Sequence, residues 1–201
     1  MRLRSTLHAA LVLLVVAAPS LARAQASVTT SVVDKITVST GKDGKPLPSP
    51  RHVLTFTHRG NNGVTKIEIS YGAPSMRGRT IYGNVVPYDH WWRAGANEAT
   101  SFVTDRNIRI GNLDVPAGSY TLDVLPTQSG WQLIVNKLTG QWGTKYDPSQ
   151  DLGRVPMDVT ALPAPQETLS YNIDHETPHS AILHIRWADK DAAVGIEFPR
   201  S

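Results

Sequence analysis

Through much of this chain, apolar and polar residues change places at every step. In KIEISY, Ile67, Ile69 and Tyr71 alternate with Lys66, Glu68 and Ser70; in SYTLDV, Tyr120, Leu122 and Val124 alternate with Ser119, Thr121 and Asp123. WQLIVN and TLSYNID repeat the pattern, with Trp131, Leu133 and Val135, then Leu169, Tyr171 and Ile173, on one face. Successive side chains of an extended strand point to opposite sides, so a period of two predicts strands with one buried and one wet face. Turn-forming residues separate the runs at RGNNG (59–63), TDRN (104–107), VPAGS (115–119) and TQSG (127–130). The pattern predicts an all-β fold, an antiparallel β-sandwich of about nine strands. An earlier β-branched run, SVTTSVVDKITVS, is broken by GKDGKPLPSP. Residues 25–45 are therefore read as an N-terminal strand and linker, and residues 46–201 as a single all-β domain.

Two stretches refuse the alternation: RGRTIYGNVVPYDHWWRAGANEA (77–99) and NKLTGQWGTKYD (136–147). Long irregular segments in compact domains carry function or conceal an element, here a short helix expected around Tyr88 to Arg93. Taking the strand after Ala99 as upward, residues 108–115 run down, 119–126 up and 131–136 down. That succession predicts that Asn97, Glu98, the VPAG turn, Asn136, Gln141 and Trp142 meet at one end of the sheet.

The N-terminus changes the electrostatic picture. Arg2 and Arg4 precede the apolar run AALVLLVVAA, which leads into PSLARAQA, the form of a secretory signal peptide. Residues 1–24 are assigned to it, with cleavage after Ala24 or Ala26. The chain carries 20 basic and 17 acidic residues, and removal of Arg2, Arg4 and Arg23 brings the two into balance. No electrostatic footprint for nucleic acid then remains. There is no cysteine, hence neither a disulfide nor a lipid-modified anchor, and no second apolar span. The expected localisation is periplasmic or secreted.

HETPH (175–179) spells the zinc motif H-E-x-x-H. That motif needs a continuous helix through both histidines, whereas here it separates two strand-like runs and contains Pro178. It is read as a hairpin loop, with no metal and no cofactor. His52, His58 and His184 lie in or beside strands and are read as structural.

Arg79 and Arg93 offer paired donors for a carboxylate or phosphate; alternatively each braces the loop by pairing with Glu98 or Asp89. Trp92 and Trp142 can stack on a ring or plug the core. Glu98 can accept a proton or a hydroxyl, with Asp89 or Asp147 as partner, but no nucleophile elbow appears and no catalytic residue is assigned. The candidate ligand-binding set is Arg79, Trp92, Arg93, Asn97, Glu98, Asn136, Gln141 and Trp142.

YGAPSMRGRTIYG, VPYDHWWRAGANEATSF, VPAGSYTL, WQLIVNKLTGQWGTKYD and ETLSYNI, in that order, resemble the bacterial exported family catalogued as domain of unknown function 2911. The resemblance spans roughly residues 46 to 198 and implies an exported all-β domain; it brings no reaction or catalytic residue. Three readings stand open. The chain is a binding or interaction module for a small polar or anionic ligand, a saccharide among the candidates, or a hydrolase using Glu98, or a structural protein with an envelope partner. The sequence does not fix its oligomeric state.

Overall fold

The computed structural model describes residues 29–199 apart from 39, 42, 61 and 62. The expected signal peptide, residues 1–24, lies outside the described residues. Ten strands follow one another: β1 (Thr29–Thr37), β2 (Arg51–Gly60), β3 (Gly63–Gly72), β4 (Thr100–Thr104), β5 (Ile108–Ile110), β6 (Leu113–Val115), β7 (Gly118–Pro126), β8 (Trp131–Asn136), β9 (Asp151–Thr177) and β10 (Ser180–Glu197). A single 3-10 turn, Pro148–Gln150, is the one helical element among the described residues. No described helix is long and apolar enough to cross a membrane.

The all-β, antiparallel architecture is that expected from the alternation. The strands form one hydrogen-bonded order, β1-β2-β3-β4-β7-β8-β9-β10-β5-β6, which is not closed into a barrel. Its long members carry it from one half to the other: Asp151–Met157 of β9 pair with β8, and residues from Asp158 onward pair with β10. Aromatic contacts join the halves through the core, Tyr71 to Tyr171 at 4.6 Å between ring centroids and Phe56 to Phe198 at 6.1 Å. Burying side chains of this size stabilises by roughly 1.5–3 kcal/mol each.

Strand direction differs from the sequence expectation. β4 and β7 are antiparallel neighbours, with Thr100 opposite Leu122 and Thr104 opposite Gly118. Residues 108–115 are not one long strand between them but the short hairpin β5-β6, which turns at Gly111 (φ 54) and pairs with the end of β10. The VPAG turn therefore lies at the Thr104 end of β4, away from Asn97 and Glu98, which precede Thr100.

HETPH is a hairpin. β9 runs to Thr177, Pro178 and His179 turn, and β10 begins at Ser180, which pairs with Thr177. Three of the described histidines are engaged as parts of the structure. His52 meets Asp34 at 3.0 Å, His58 stacks on Phe198, and His184 lies between Asp191 and Asp174.

Candidate functional site

The expected helix around Tyr88–Arg93 is absent. Asp89 has φ 63, in the left-handed region that interrupts a right-handed helix. Arg77 (φ 50), Ala94 (φ 47) and Asn97 (φ 64) share that region, so four of the five non-glycine positive-φ residues described fall between 77 and 97. Such strain persists only where the surroundings over-determine it. Here Trp92 and Val124 exchange backbone hydrogen bonds of 2.7 Å each, making Trp92 a one-residue neighbour of β7. Asp89 N–H donates to the Pro126 carbonyl and Ala96 N–H to the Gly72 carbonyl. A Cβ on Gly72 would lie 2.2 Å from the Ala96 oxygen, so this close approach requires glycine there.

The segment so fixed forms one wall of a cleft of about 280 Å³. Arg77, Arg79, Arg93 and Asn97 line it together with Pro48, Ser49, Pro74, Val85, Trp92 and Trp187; among the described residues no aspartate, glutamate or histidine does. Arg79 donates to the carbonyls of Ser75 (2.7 Å) and Met76 (2.9 Å), and Arg77 to that of Pro48 (2.8 Å). Carbonyls orient a guanidinium without cancelling its charge. Trp92 stacks on Trp187 at 5.8 Å, and Asn97 donates to the Ser49 carbonyl.

Of the eight candidate residues, Arg79, Trp92, Arg93 and Asn97 line this cleft; Glu98, Asn136, Gln141 and Trp142 do not. The second four nonetheless gather beside the first. Glu98 and Trp142 form an isolated bridge, Ala99 N–H donates to the Gln141 carbonyl, and Gly143 N–H to that of Asn97. Glu98 is held by Arg51 at 3.2 Å, not by Arg79 or Arg93. Asn136 is structural: it donates to the Asp147 carbonyl and to Asp151 Oδ1, and accepts from Leu138 N–H. Trp142 is 48% exposed, whereas Trp92 is 9% exposed and belongs to the core.

Sequence reasoning missed Asp123. Alternation placed it on a wet face, yet it is 3% exposed and its neighbour Thr121 1%. The outer face of β7 and β8 is covered by the irregular stretches themselves. Thr121 is bridged to the Leu138 carbonyl and Gln141, and Trp91 packs on Tyr146 at 4.9 Å. Burial pushes the Asp123 carboxyl up to about 7; the nearby Asp151 charge adds to the rise and Arg93 opposes it. Burial likewise lowers the pKa of Arg93, opposed by Asp123. Arg93 Nε and Gln141 Oε1 are buried without a hydrogen-bond partner. Gly143 makes room for the arginine: a Cβ there would lie 2.2 Å from Arg93 Cδ. Asp151, by contrast, accepts from Asn136, Tyr146 and Arg154. Burial and the hydrogen bond to Asp151 push the Tyr146 hydroxyl up to about 12.

A largely antiparallel all-β domain, with an arginine-lined cleft built on a strained connection, is the class these observations define. The family described as "Protein of unknown function (DUF2911)" matches residues 49–196, and the chain belongs to that family. The match takes in β2 to β9, nearly all of β10 and, Pro48 apart, every residue lining the cleft. No curated protein and no solved structure matches the chain.

Proposed function

We propose that this protein is an exported binding module, periplasmic or secreted, that holds a small anionic ligand in the cleft between Arg77, Arg79 and Arg93. What supports the reading is the composition of the wall: three arginines and Asn97, with no carboxylate among the lining residues. Guanidinium groups held by backbone carbonyls, as those of Arg77 and Arg79 are, favour a carboxylate, sulfate or phosphate, which accepts from a planar fork of donors. The cleft is near the lower end of the size range of small-molecule sites, which suits a compact ligand. A neutral saccharide is less well served, since the lining tryptophan, Trp92, is buried against Trp187 and the exposed Trp142 lies outside the cleft. Hydrolysis by Glu98 has less support, because that carboxylate also lies outside the lining and is engaged by Arg51.

Thermal unfolding at constant ionic strength tests the reading. Sulfate, phosphate or succinate is expected to raise the Tm, by the equivalent of ~2.7 kcal/mol when the ligand is at about 100 times its Kd, and a neutral disaccharide is expected to leave it unchanged. Arg77→Gln with Arg79→Gln keeps donors for the carbonyls while removing charge, and should abolish most of the shift. Equal responses of the double variant and the unaltered chain would move the site elsewhere. No response to any anion would favour the structural role.

A further inference from the structure

Arg93 has two charged settings. It lines the cleft, and, one residue beyond the antiparallel bridge of Trp92 to Val124, it stands across from Asp123 on the outer face of β7, where its charge favours the ionised carboxylate. Around that carboxylate, β8 presents Ile134 directly opposite, and β9 presents Asp151, itself held by Asn136, Tyr146 and Arg154. Tyr171, from the later part of β9, feels the same charge through the sheet. Gln141 covers Thr121, two residues away on the same face. Among the described residues no group donates a hydrogen bond to Asp123, and the charge of Arg93 opposes the burial and the Asp151 charge that disfavour its ionised form. The arginine is incompletely satisfied in turn, its Nε being buried without an acceptor.

An anion entering the cleft competes with Asp123 for this guanidinium. Two negative charges beside one desolvated cation raise the cost of keeping the buried carboxylate ionised, whereas a protonated carboxyl leaves the whole positive charge to the ligand. We propose that the cleft couples capture of its anion to proton uptake: a proton passes from solvent to a carboxyl oxygen of Asp123 as the anion engages Arg93. The proposal rests on the anion-cleft reading above and adds its regulation. Asp123 is a positioning residue: it touches no ligand and acts through Arg93. Coupling of this kind is reciprocal, so protonation tightens binding by the factor by which the anion favours protonation. Because burial already brings Asp123 to about 7, the exchange falls in the neutral range. No described histidine lines the cleft to supply the same dependence.

Sulfate is the suitable probe, since it stays doubly charged across the range and only the protein titrates. Calorimetric titration of the unaltered chain is expected to give a Kd about ten-fold weaker near pH 8.5 than near pH 5.5, with coupling of ordinary size. Near pH 7, titration in two buffers of different ionisation heat should show uptake of a sizeable fraction of a proton per sulfate. Asp123→Asn is expected to bind with the low-pH affinity of the unaltered chain at both pH values and to take up no proton. Sulfate binding without proton uptake or pH dependence would overturn the coupling while leaving the cleft reading intact. A ten-fold dependence that persists in Asp123→Asn would overturn the assignment to Asp123. Absence of sulfate and phosphate binding at every pH would remove both readings. Should Asp123→Asn fail to fold, Asp123→Ser provides the same comparison, and the proton count on the unaltered chain stands by itself.

Discussion

A carboxylate at position 123 is costly in the folded chain, and the cost has a definite dependence on pH. Asp123 titrates near its ordinary value of 3.8 when exposed in the unfolded chain and at about 7 when folded. Between those values the folded chain holds the extra proton, so stability falls as pH rises from about 4 to about 7 and is level above that. The full span is worth at most ~4 kcal/mol, and the part lost between about pH 5.5 and about pH 8.5 is ~1–2 kcal/mol. Asp123→Asn keeps the shape without the charge. Its urea-unfolding free energy, relative to that of the unaltered chain, is expected to rise by this amount between the two pH values; the histidines are common to both chains and cancel in the difference. A constant difference would mean that Asp123 is not desolvated as its burial implies. The residue was invisible in the sequence for a simple reason. SYTLDV has the pattern of a half-buried strand, and alternation reports which face a side chain takes, not what covers that face. The cover comes from residues 91–93 and 137–147, whose path carries no periodic signal.

At the scale of elements, the irregular segment 73–99 is held by specific bonds instead of by a regular ladder. Ala94 sits at φ 47, a conformation that costs an L residue on the order of 1–2 kcal/mol. Its carbonyl accepts from the Tyr171 hydroxyl at 2.8 Å and from Thr100 Oγ1 at 3.3 Å, and Tyr171 N–H in turn donates to the Tyr71 hydroxyl. The phenol of β9 thereby fastens the turn that leads from Arg93 into Ala96 and Asn97. Tyr171→Phe removes this donor from a fully buried place and is expected to cost ~1–3 kcal/mol, seen as a lower denaturant midpoint with an unchanged slope. Sulfate affinity should weaken in the same variant, because Arg93 and Asn97 flank the loosened turn. An unaltered midpoint would show that Ala94 is held by other contacts. The strands on either side of this segment were legible as alternation. The gathering of Glu98 with Trp142 was also anticipated, but from a succession of strand directions in which residues 108–115 filled the place beside β4. Three-residue strands such as β5 and β6 are too short for a period of two to fix their partners, and the hairpin pairs instead with the far end of β10. The helix expected at Tyr88–Arg93 failed because aromatic clustering resembles an amphipathic turn, while the left-handed Asp89 leaves no trace in hydrophobicity.

At the scale of the whole molecule, the sheet is open, and its two ends differ in a way that separates core from appendage. β6 ends it with three residues, one of them the buried Val115, whereas β1 ends it with nine residues, and every side chain described from Ser31 to Thr37 is exposed. Val32, Val33 and Ile36 are 50–60% exposed, and no side chain described from Ser31 to Thr37 belongs to the hydrophobic core cluster. The family match likewise begins at residue 49, after β1 and the turn that follows it. Tolerance to truncation follows burial and hydrogen bonding, not position in the chain. Removing residues 1–45 takes away the ladder along β2 and the contact between Asp34 and His52 while leaving the core, Pro48 and Ser49 in place. A chain of residues 46–201 is therefore expected to unfold in one cooperative transition, with a Tm lower by roughly 5–10 °C, and to bind sulfate with unchanged affinity. Its chief liability is β2, which becomes a ten-residue edge able to pair with another copy, so the comparison calls for dilute protein and a check of oligomeric state. Loss of the cooperative transition in dilute solution would make β1 part of the folding unit and move the domain boundary ahead of Thr29.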